Sequence, residues 1–239
     1  MSYFEYTIFV LYSLWHLIDT EYALIVQEDG WVLDGANWKA LFFDYDYIGS
    51  PAHLALVTYA GNSQYFRNFQ WTRFLDQPGH NIRFVQNGGF SLRSRRFLKA
   101  FSELRIPYVL PSPRTLVDEQ GVVRVDWSPT DSQNEDVYCC INQREALEGY
   151  GLKFAPLDVS KYFGFEHCGV GIHEQMRLDT VLGCHSRLRR LVSKEAYEVA
   201  YSLTEKEVLA IYGEEAIVSV LSRQAAQITY KSENISARK

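Results

Sequence analysis

The chain has 239 residues, sets 24 Lys and Arg against 29 Asp and Glu for a net charge of −5, and is 47% hydrophobic. That is apolar material for one large domain, or one domain with an appendage, and it leaves no basic field to gather nucleic acid by its phosphates. The cysteines, Cys139, Cys140, Cys168 and Cys184, contain no C-x-x-C pair, which is a poor disulfide framework and points to a reducing, cytoplasmic compartment.

Phe4, Ile8, Leu11, Trp15 and Ile18 recur at helical spacing, and Ser2 with Glu5 forms a capping box. The chain is therefore expected to open on an amphipathic helix. Its apolar stretch is shorter than the roughly 20 residues of a membrane span, which leaves peripheral membrane contact open. Residues 22–26 read as a buried strand that must turn at Gln27-Glu28-Asp29-Gly30. Residues 37–43 read as a short helix and 45–49 as a second short strand. Residues 51–81, broken by Gly61-Asn62 and Pro78-Gly79, read as a variable loop. Residues 82–85 read as a strand, Asn87-Gly88-Gly89 as a turn, and Ser94 as the cap of a helix carrying Phe97, Leu98, Phe101 and Leu104. Residues 107–129, rich in proline, read as loop with one hairpin. Ser132 and Glu135 make a second capping box for a helix ending at Gly149 or Gly151, and residues 153–156 read as a short strand. Charged, helix-forming segments then predict a helical C-terminal appendage over 176–239, with a capping box at Thr204 and Glu207, behind a main domain over 1–175.

Several pieces could carry chemistry. Asp29 lies at the carboxyl end of a strand, where open α/β sheets gather ligands. An acid there can hold a cation that bridges a diphosphate, because Mg²⁺ takes one or two carboxylates plus phosphate oxygens. Asp-Gly is also a hairpin turn signal, and local sequence favours the turn. The glycines of Asn87-Gly88-Gly89 allow close backbone approach to a ligand, or simply a tight turn, which local sequence again favours. Glu135-Asp136 opens a helix, where acids complement the dipole; the chemical alternative is a general base for an attacking hydroxyl. Glu166, His167, Cys168 and His173, with Cys184-His185 beyond, lack the paired spacings of structural zinc. His173 completing a metal shell is the better candidate, with an ordinary histidine the default. Asp44-Tyr45-Asp46 is a literal D-x-D, short enough to arise by chance. Phosphate-loop, dinucleotide-fold and nucleophile-elbow signatures are absent from the sequence.

In order, Val26-Gln27-Glu28-Asp29-Gly30, residues 45–49, residues 87–94 (Asn-Gly-Gly-Phe-Ser-Leu-Arg-Ser), Glu135-Asp136-Val137, Phe154-Ala155-Pro156, residues 163–166 and Gly171-Ile172-His173 resemble one family. It is a bacterial family first catalogued as a domain of unknown function and regarded as glycosyltransferase-like. The resemblance runs over roughly residues 3–173. It implies an α/β fold of the GT-A (nucleotide-diphospho-sugar transferase) type, a mixed sheet flanked by helices. It implies metal-dependent, inverting transfer of a sugar from a nucleotide-sugar donor to a carbohydrate acceptor. Asp29 would be the metal acid and His173 a second ligand of Mn²⁺ or Mg²⁺. Asn87, Gly88, Gly89 and Ser91 would line the sugar pocket, Trp31 would stack on a sugar face, and Asp136 or Glu135 would be the base. The D-x-D at Asp44 and Asp46 does not coincide with that metal acid. Only one helix and one strand precede Asp29, so the expected scaffold is shortened at its N-terminus. The alternative is a non-catalytic relative that binds carbohydrate or a partner protein and self-associates through an exposed sheet edge.

Overall fold

The computed structural model describes residues 3–109, 114–117, 119–126, 134–166, 171–173, 176–177 and 180–185, together with the strand segments Arg189–Leu191, Glu198–Tyr201 and Thr229–Ser232. The chain opens on α1 (Tyr3–Ile8), which runs on through a π-helical turn (Phe9–Ser13) and a 3₁₀ turn (Leu14–Leu17). The expected amphipathic helix is present but changes pitch twice. It docks through buried Val10 and Leu11 and through the Tyr12 hydroxyl, which donates to the Ile106 carbonyl at 2.7 Å. The proposed cap Ser2 lies outside the described residues.

β1 (Tyr22–Val26) is where the sequence places a strand, but it is an edge strand rather than a buried one: Leu24 and Val26 are 37% and 44% exposed. β2 (Gly30–Val32) follows the turn at Asp29. The expected short helix at 37–43 resolves into 3₁₀ turns at Gly35–Asn37 and Ala40–Asp44. Next come β3 (Tyr47–Tyr59), β4 (Asn62–Phe66) and β5 (Asn81–Ser94). Residues 51–81 are thus no variable loop. They form the outer half of β3, its hairpin partner β4 and a 3₁₀ turn at Gln70–Phe74, closed around buried Ala55, Val57, Phe69, Trp71 and Phe84. The breaker Gly61, at φ +81°, marks only the hairpin's tip.

Ser94 caps α2 (Arg95–Glu103) as expected, its hydroxyl accepting from the Phe97 amide. The expected hairpin is β6 (Arg114–Val117) against β7 (Val123–Asp126). α3 (Glu135–Val137) starts after Asn134 and continues through a π-helical turn (Tyr138–Asn142) towards α4 (Arg144–Gly149); Ser132 lies outside the described residues. Phe154 makes a single parallel bridge to Tyr47. Then follow α5 (Leu157–Phe163), β8 (Gly164–Phe165), a 3₁₀ turn at Gly171–His173, β9 (Gly183–His185), β10 (Arg189–Leu191), β11 (Glu198–Tyr201) and β12 (Thr229–Ser232).

The main sheet has the order β1-β5-β3-β4 and is antiparallel throughout. A smaller mixed sheet, β2-β9-β8, pairs β2 with β9 antiparallel and β9 with β8 parallel. The fold is therefore mixed α/β. β9 ties the chain as far as His185 to β2, past the expected boundary at 175. The described segments beyond it, β10, β11 and β12, are strands, whereas a helical appendage is expected there; Thr204 and Glu207 lie outside the described residues. No helix among the described residues is long and apolar enough to cross a membrane.

The Asn87-Gly88-Gly89 run is not a turn. It lies inside β5, at a bulge. Gly49 of β3 pairs with Ser91 while the next residue, Ser50, pairs with Asn87. Residues 88–90 are thereby pushed out of the β3 ladder, although β1 still holds Phe90 opposite Val26 and the Gln27 amide still donates to the Gly89 carbonyl at 2.8 Å. Local glycine signals cannot distinguish a chain reversal from a bulge; long-range pairing on both sides of β5 decides.

The D-x-D is a structural device at one end and a surface residue at the other. Asp44 is exposed. Asp46 is 6% exposed. Its carboxylate accepts from the Ser94 hydroxyl (2.6 Å), the Lys153 amide (2.8 Å) and the Arg96 guanidinium (2.5 Å). Burial would raise its pKa, but these donors outweigh it and hold the carboxyl below its ordinary value. Its stabilising contribution is therefore complete above the unfolded value of about 4 and fades as pH falls through the lowered native value. Asp46→Ala orphans the Ser94 hydroxyl and the Lys153 amide and should lower stability by about 2 kcal/mol in a urea titration. An unchanged midpoint would contradict this assignment.

Candidate functional site

The bulge in β5 decides what sits around it. Gly88 and Gly89 both have negative φ, so left-handed backbone is not why they are glycine. A Cβ at Gly88 would strike the Glu135 carboxylate and the Arg93 guanidinium; one at Gly89 would strike the His185 ring and the Gln27 side chain. The absent side chains let these groups close in.

Arg93 has no exposed surface. Its Nη2 donates to Glu135 Oε1 at 2.6 Å and its Nε to Ser91 Oγ at 3.1 Å, and its guanidinium carbon lies 4.8 Å from the centre of the Tyr47 ring. Ser91 Oγ in turn donates to the Gly88 carbonyl at 2.9 Å. Ser91 is fully buried, so it braces the bulge from within and does not line a pocket as expected.

A cavity of about 180 Å³ opens beside the bulge. Tyr3, Tyr6 and Thr7 of α1 form one part of its wall. Asn87 and Gly89 come from the bulge, Asn134, Glu135 and Asp136 from the start of α3, and Gln27, Glu166 and His185 from the ends of β1, β8 and β9. Asn87 spans the wall: its Oδ1 accepts from the Gly89 amide at 2.7 Å and its Nδ2 donates to Glu166 Oε1 at 3.3 Å.

The two candidate bases take different places. Glu135 is 5% exposed and committed to Arg93. Asp136 is half-buried on the cavity wall, its Oδ2 accepting from the Gly88 amide at 3.2 Å and its Oδ1 from the Val137 amide at 2.7 Å. Burial, and then the charge of Glu135, push the Asp136 carboxyl up to about 7 against the pull of those amides. Of the pair, Asp136 is the one placed to exchange a proton near neutral pH.

Asp29 has a histidine partner, but not the expected one. The register that sets Gly30 opposite His185 brings Asp29 Oδ1 to 3.0 Å from His185 Nε2, which also lies 3.2 Å from Gln27 Oε1. Burial alone would lower the His185 pKa; the hydrogen bond and charge of Asp29 overcome it and leave a net rise. His173 is 1% exposed, does not line the cavity, and puts its Nε2 against the Lys161 carbonyl at 2.9 Å; burial pushes its pKa down to about 4. Trp31 is 8% exposed in β2 and does not line the cavity either.

The structure thus gathers Asn87, Gly89, Glu135 and Asp136 on one cavity, with Gly88 and Asp29 in direct contact with its lining residues. Sequence reasoning missed Glu166 and His185 as members of this site, although both belong to the His/Cys/Glu set noted for zinc. It missed Tyr3 and Tyr6, because the helical spacing marked α1 only as a packing element, and it read Gln27 only as part of the turn motif.

Among the described residues no three His, Cys, Asp or Glu side chains converge to hold a metal ion. Asp29 Oδ1 is paired with His185 Nε2, and His173 is turned to a backbone carbonyl, so the two expected ligands are engaged separately.

Residues 6–185 match a family described as "Protein of unknown function (DUF5672)", and the chain belongs to that family. No curated protein and no solved structure matches it.

Because its native pKa is raised, the His185 pair stabilises the fold fully below the unfolded histidine value of about 6.5 and loses that effect as pH rises through the native value. In an NMR titration the His185 ring protons should move at a pH above that reference. In Asp29→Asn the midpoint should fall, because burial then acts with less opposition. An unshifted midpoint in the variant would break the assignment.

Proposed function

We propose that the chain moves a sugar from a nucleotide-sugar donor to a hydroxyl of a carbohydrate acceptor, on a scaffold related to the GT-A transferases. The observation that carries the reading is Asp136. It is a carboxylate on the wall of a small polar cavity, held by two backbone amides, with its pKa lifted to about 7. A base poised near the working pH is what removal of a hydroxyl proton needs. The order of the motifs along the chain supports the same reading.

In the reaction, Asp136 takes the proton of the acceptor hydroxyl. The acceptor oxygen forms its bond to the anomeric carbon as the bond to the leaving phosphate breaks, and the electron pair departs on the nucleoside diphosphate. Displacement from the opposite face inverts the anomeric centre. Asn87 and Gln27 offer amide groups to sugar hydroxyls, and Tyr3 and Tyr6 offer aromatic faces to a ring. Asp29 Oδ1 is paired with His185, and no step is assigned to a divalent cation.

That same ion pair favours a second reading, in which the cavity binds carbohydrate without turning it over. A product assay with a panel of nucleotide sugars and simple acceptors separates the two. Under the transferase reading, turnover should rise as pH passes through about 7, where Asp136 loses its proton. Asp136→Asn should cost roughly 10²–10⁴-fold in kcat while saccharide binding remains. Saccharide binding without turnover of any donor would leave the binding reading.

A further inference from the structure

The apolar layer of the main sheet does not close at its β1 edge. The Arg95 amide donates to the Glu21 carbonyl at 2.7 Å and the Gln27 amide to the Gly89 carbonyl at 2.8 Å. With the unbroken register between them, that phase turns the backbone of Ala23 and Ile25 towards β5 and the N–H and C=O groups of Tyr22, Leu24 and Val26 out of the sheet. The Tyr22 carbonyl is taken by the Thr20 hydroxyl at 2.7 Å. Among the described residues no strand pairs with β1 on that side.

The side chains of the same three residues share one face. Tyr22 packs against the core around Phe42, Phe90 and Phe163 and meets Phe43 with ring centres 4.9 Å apart. Beyond it the layer lies open: Phe43 and Val26 are each 44% exposed and Leu24 37%. Edge strands are ordinarily guarded by a proline, a bulge or an inward charge. β1 reads Tyr-Ala-Leu-Ile-Val in unbroken register and has none of these. An open ladder beside open apolar side chains is what an added strand fills: backbone hydrogen bonds supply affinity, and alternate side chains supply the fit.

Charge chooses the occupant. Exposed Asp19 and Glu21 stand before β1, exposed Glu28 after it, and exposed Asp44 next to Phe43. The arginines at the Glu21 end are engaged, Arg95 Nε with the Ile18 carbonyl at 2.7 Å and Arg96 with Asp46. A second copy laid antiparallel, Leu24 against Leu24, sets Glu21 opposite Gln27, Thr20 opposite Glu28 and Asp19 opposite Asp29. Acids then crowd both ends, and like charges facing each other across a strand pair repel.

We propose that the β1 edge docks an extended strand of a partner polypeptide, apolar and β-branched at alternate positions and flanked by Lys or Arg at both ends. The docked strand covers Leu24 and Val26 and reaches Gln27, which lines the cavity. The inference does not depend on what the cavity binds.

Fluorescence anisotropy on the full chain, with the labelled and end-blocked peptide Lys-Lys-Val-Thr-Val-Thr-Val-Lys-Lys, tests this. The peptide should bind, and its counterpart with every lysine replaced by glutamate should bind about tenfold more weakly, the worth of a few exposed charge pairs together. In amide hydrogen exchange, the Leu24 and Val26 amides should slow when the lysine peptide is added. Leu24→Lys changes an exposed side chain and leaves the β5 ladder in place; it should weaken binding about tenfold. No binding at millimolar peptide overturns the proposal. So does equal binding of the glutamate peptide, or exchange at Leu24 and Val26 that bound peptide leaves unchanged. A dimer of the free chain in light scattering that Leu24→Lys separates gives the edge to a second copy and overturns it. Binding to phosphatidylcholine vesicles that is lost in the same variant gives the edge to lipid and overturns it too. The exchange measurement on the wild type decides even if the variant does not fold.

Discussion

The arrangement depends on one buried charge. The Arg93 guanidinium has no exposed surface, and an ion taken out of water must meet an opposite charge or cost several kcal/mol. Glu135 supplies it at 2.6 Å. Its carboxylate stands in the space that a Cβ at position 88 would occupy, so the ion pair, the glycine and the start of α3 require one another. Removing either partner would leave the other buried and unpaired, at about 3–5 kcal/mol.

The cavity's chemistry follows from that pair. Because the Arg93 charge is taken up by Glu135, the neighbouring Asp136 is left with burial and like charge on one side and two backbone amides on the other, which is why its proton is held more tightly than in a free aspartate. The bulge that makes room for Glu135 also exposes Asn87 and Gly89 to the cavity, and the β2–β9 register delivers His185 to its rim. Residues far apart in the chain meet here because β5 is bulged at one place. The polar wall is the reason a saccharide is the ligand argued for: it offers amides, carboxyls and phenols rather than a continuous apolar surface.

Much of this was legible in the sequence where the signal is local. The β1 strand, the Ser94 cap, the hairpin in the proline-rich stretch and the helical opening rest on periodicity and capping, which act over a few residues. The sequence also singled out Asn87, Gly88, Gly89, Glu135 and Asp136, and all of them lie on the cavity wall or in contact with it. What it could not separate was a glycine turn from a glycine bulge, because that depends on what β1 and β3 do on either side. It set Asp29 with His173; the pairing of Gly30 with His185, a long-range contact, is what brings His185 to Asp29. Asp46, in a triplet with the look of a metal motif that the sequence reading set aside in favour of Asp29, is held by Ser94, Arg96 and Lys153.

The central claim is that the bulge and the start of α3 together form a sugar site. The most direct measurement is backbone-amide NMR of the labelled chain during titration with a panel of nucleotide sugars and free monosaccharides. The account predicts that at least one ligand shifts the amides of Gly88, Gly89, Asp136 and Val137 more than any others, since these groups line the cavity or hydrogen-bond to the side chains that do. Shifts confined to other surfaces, or none at millimolar ligand, would contradict it.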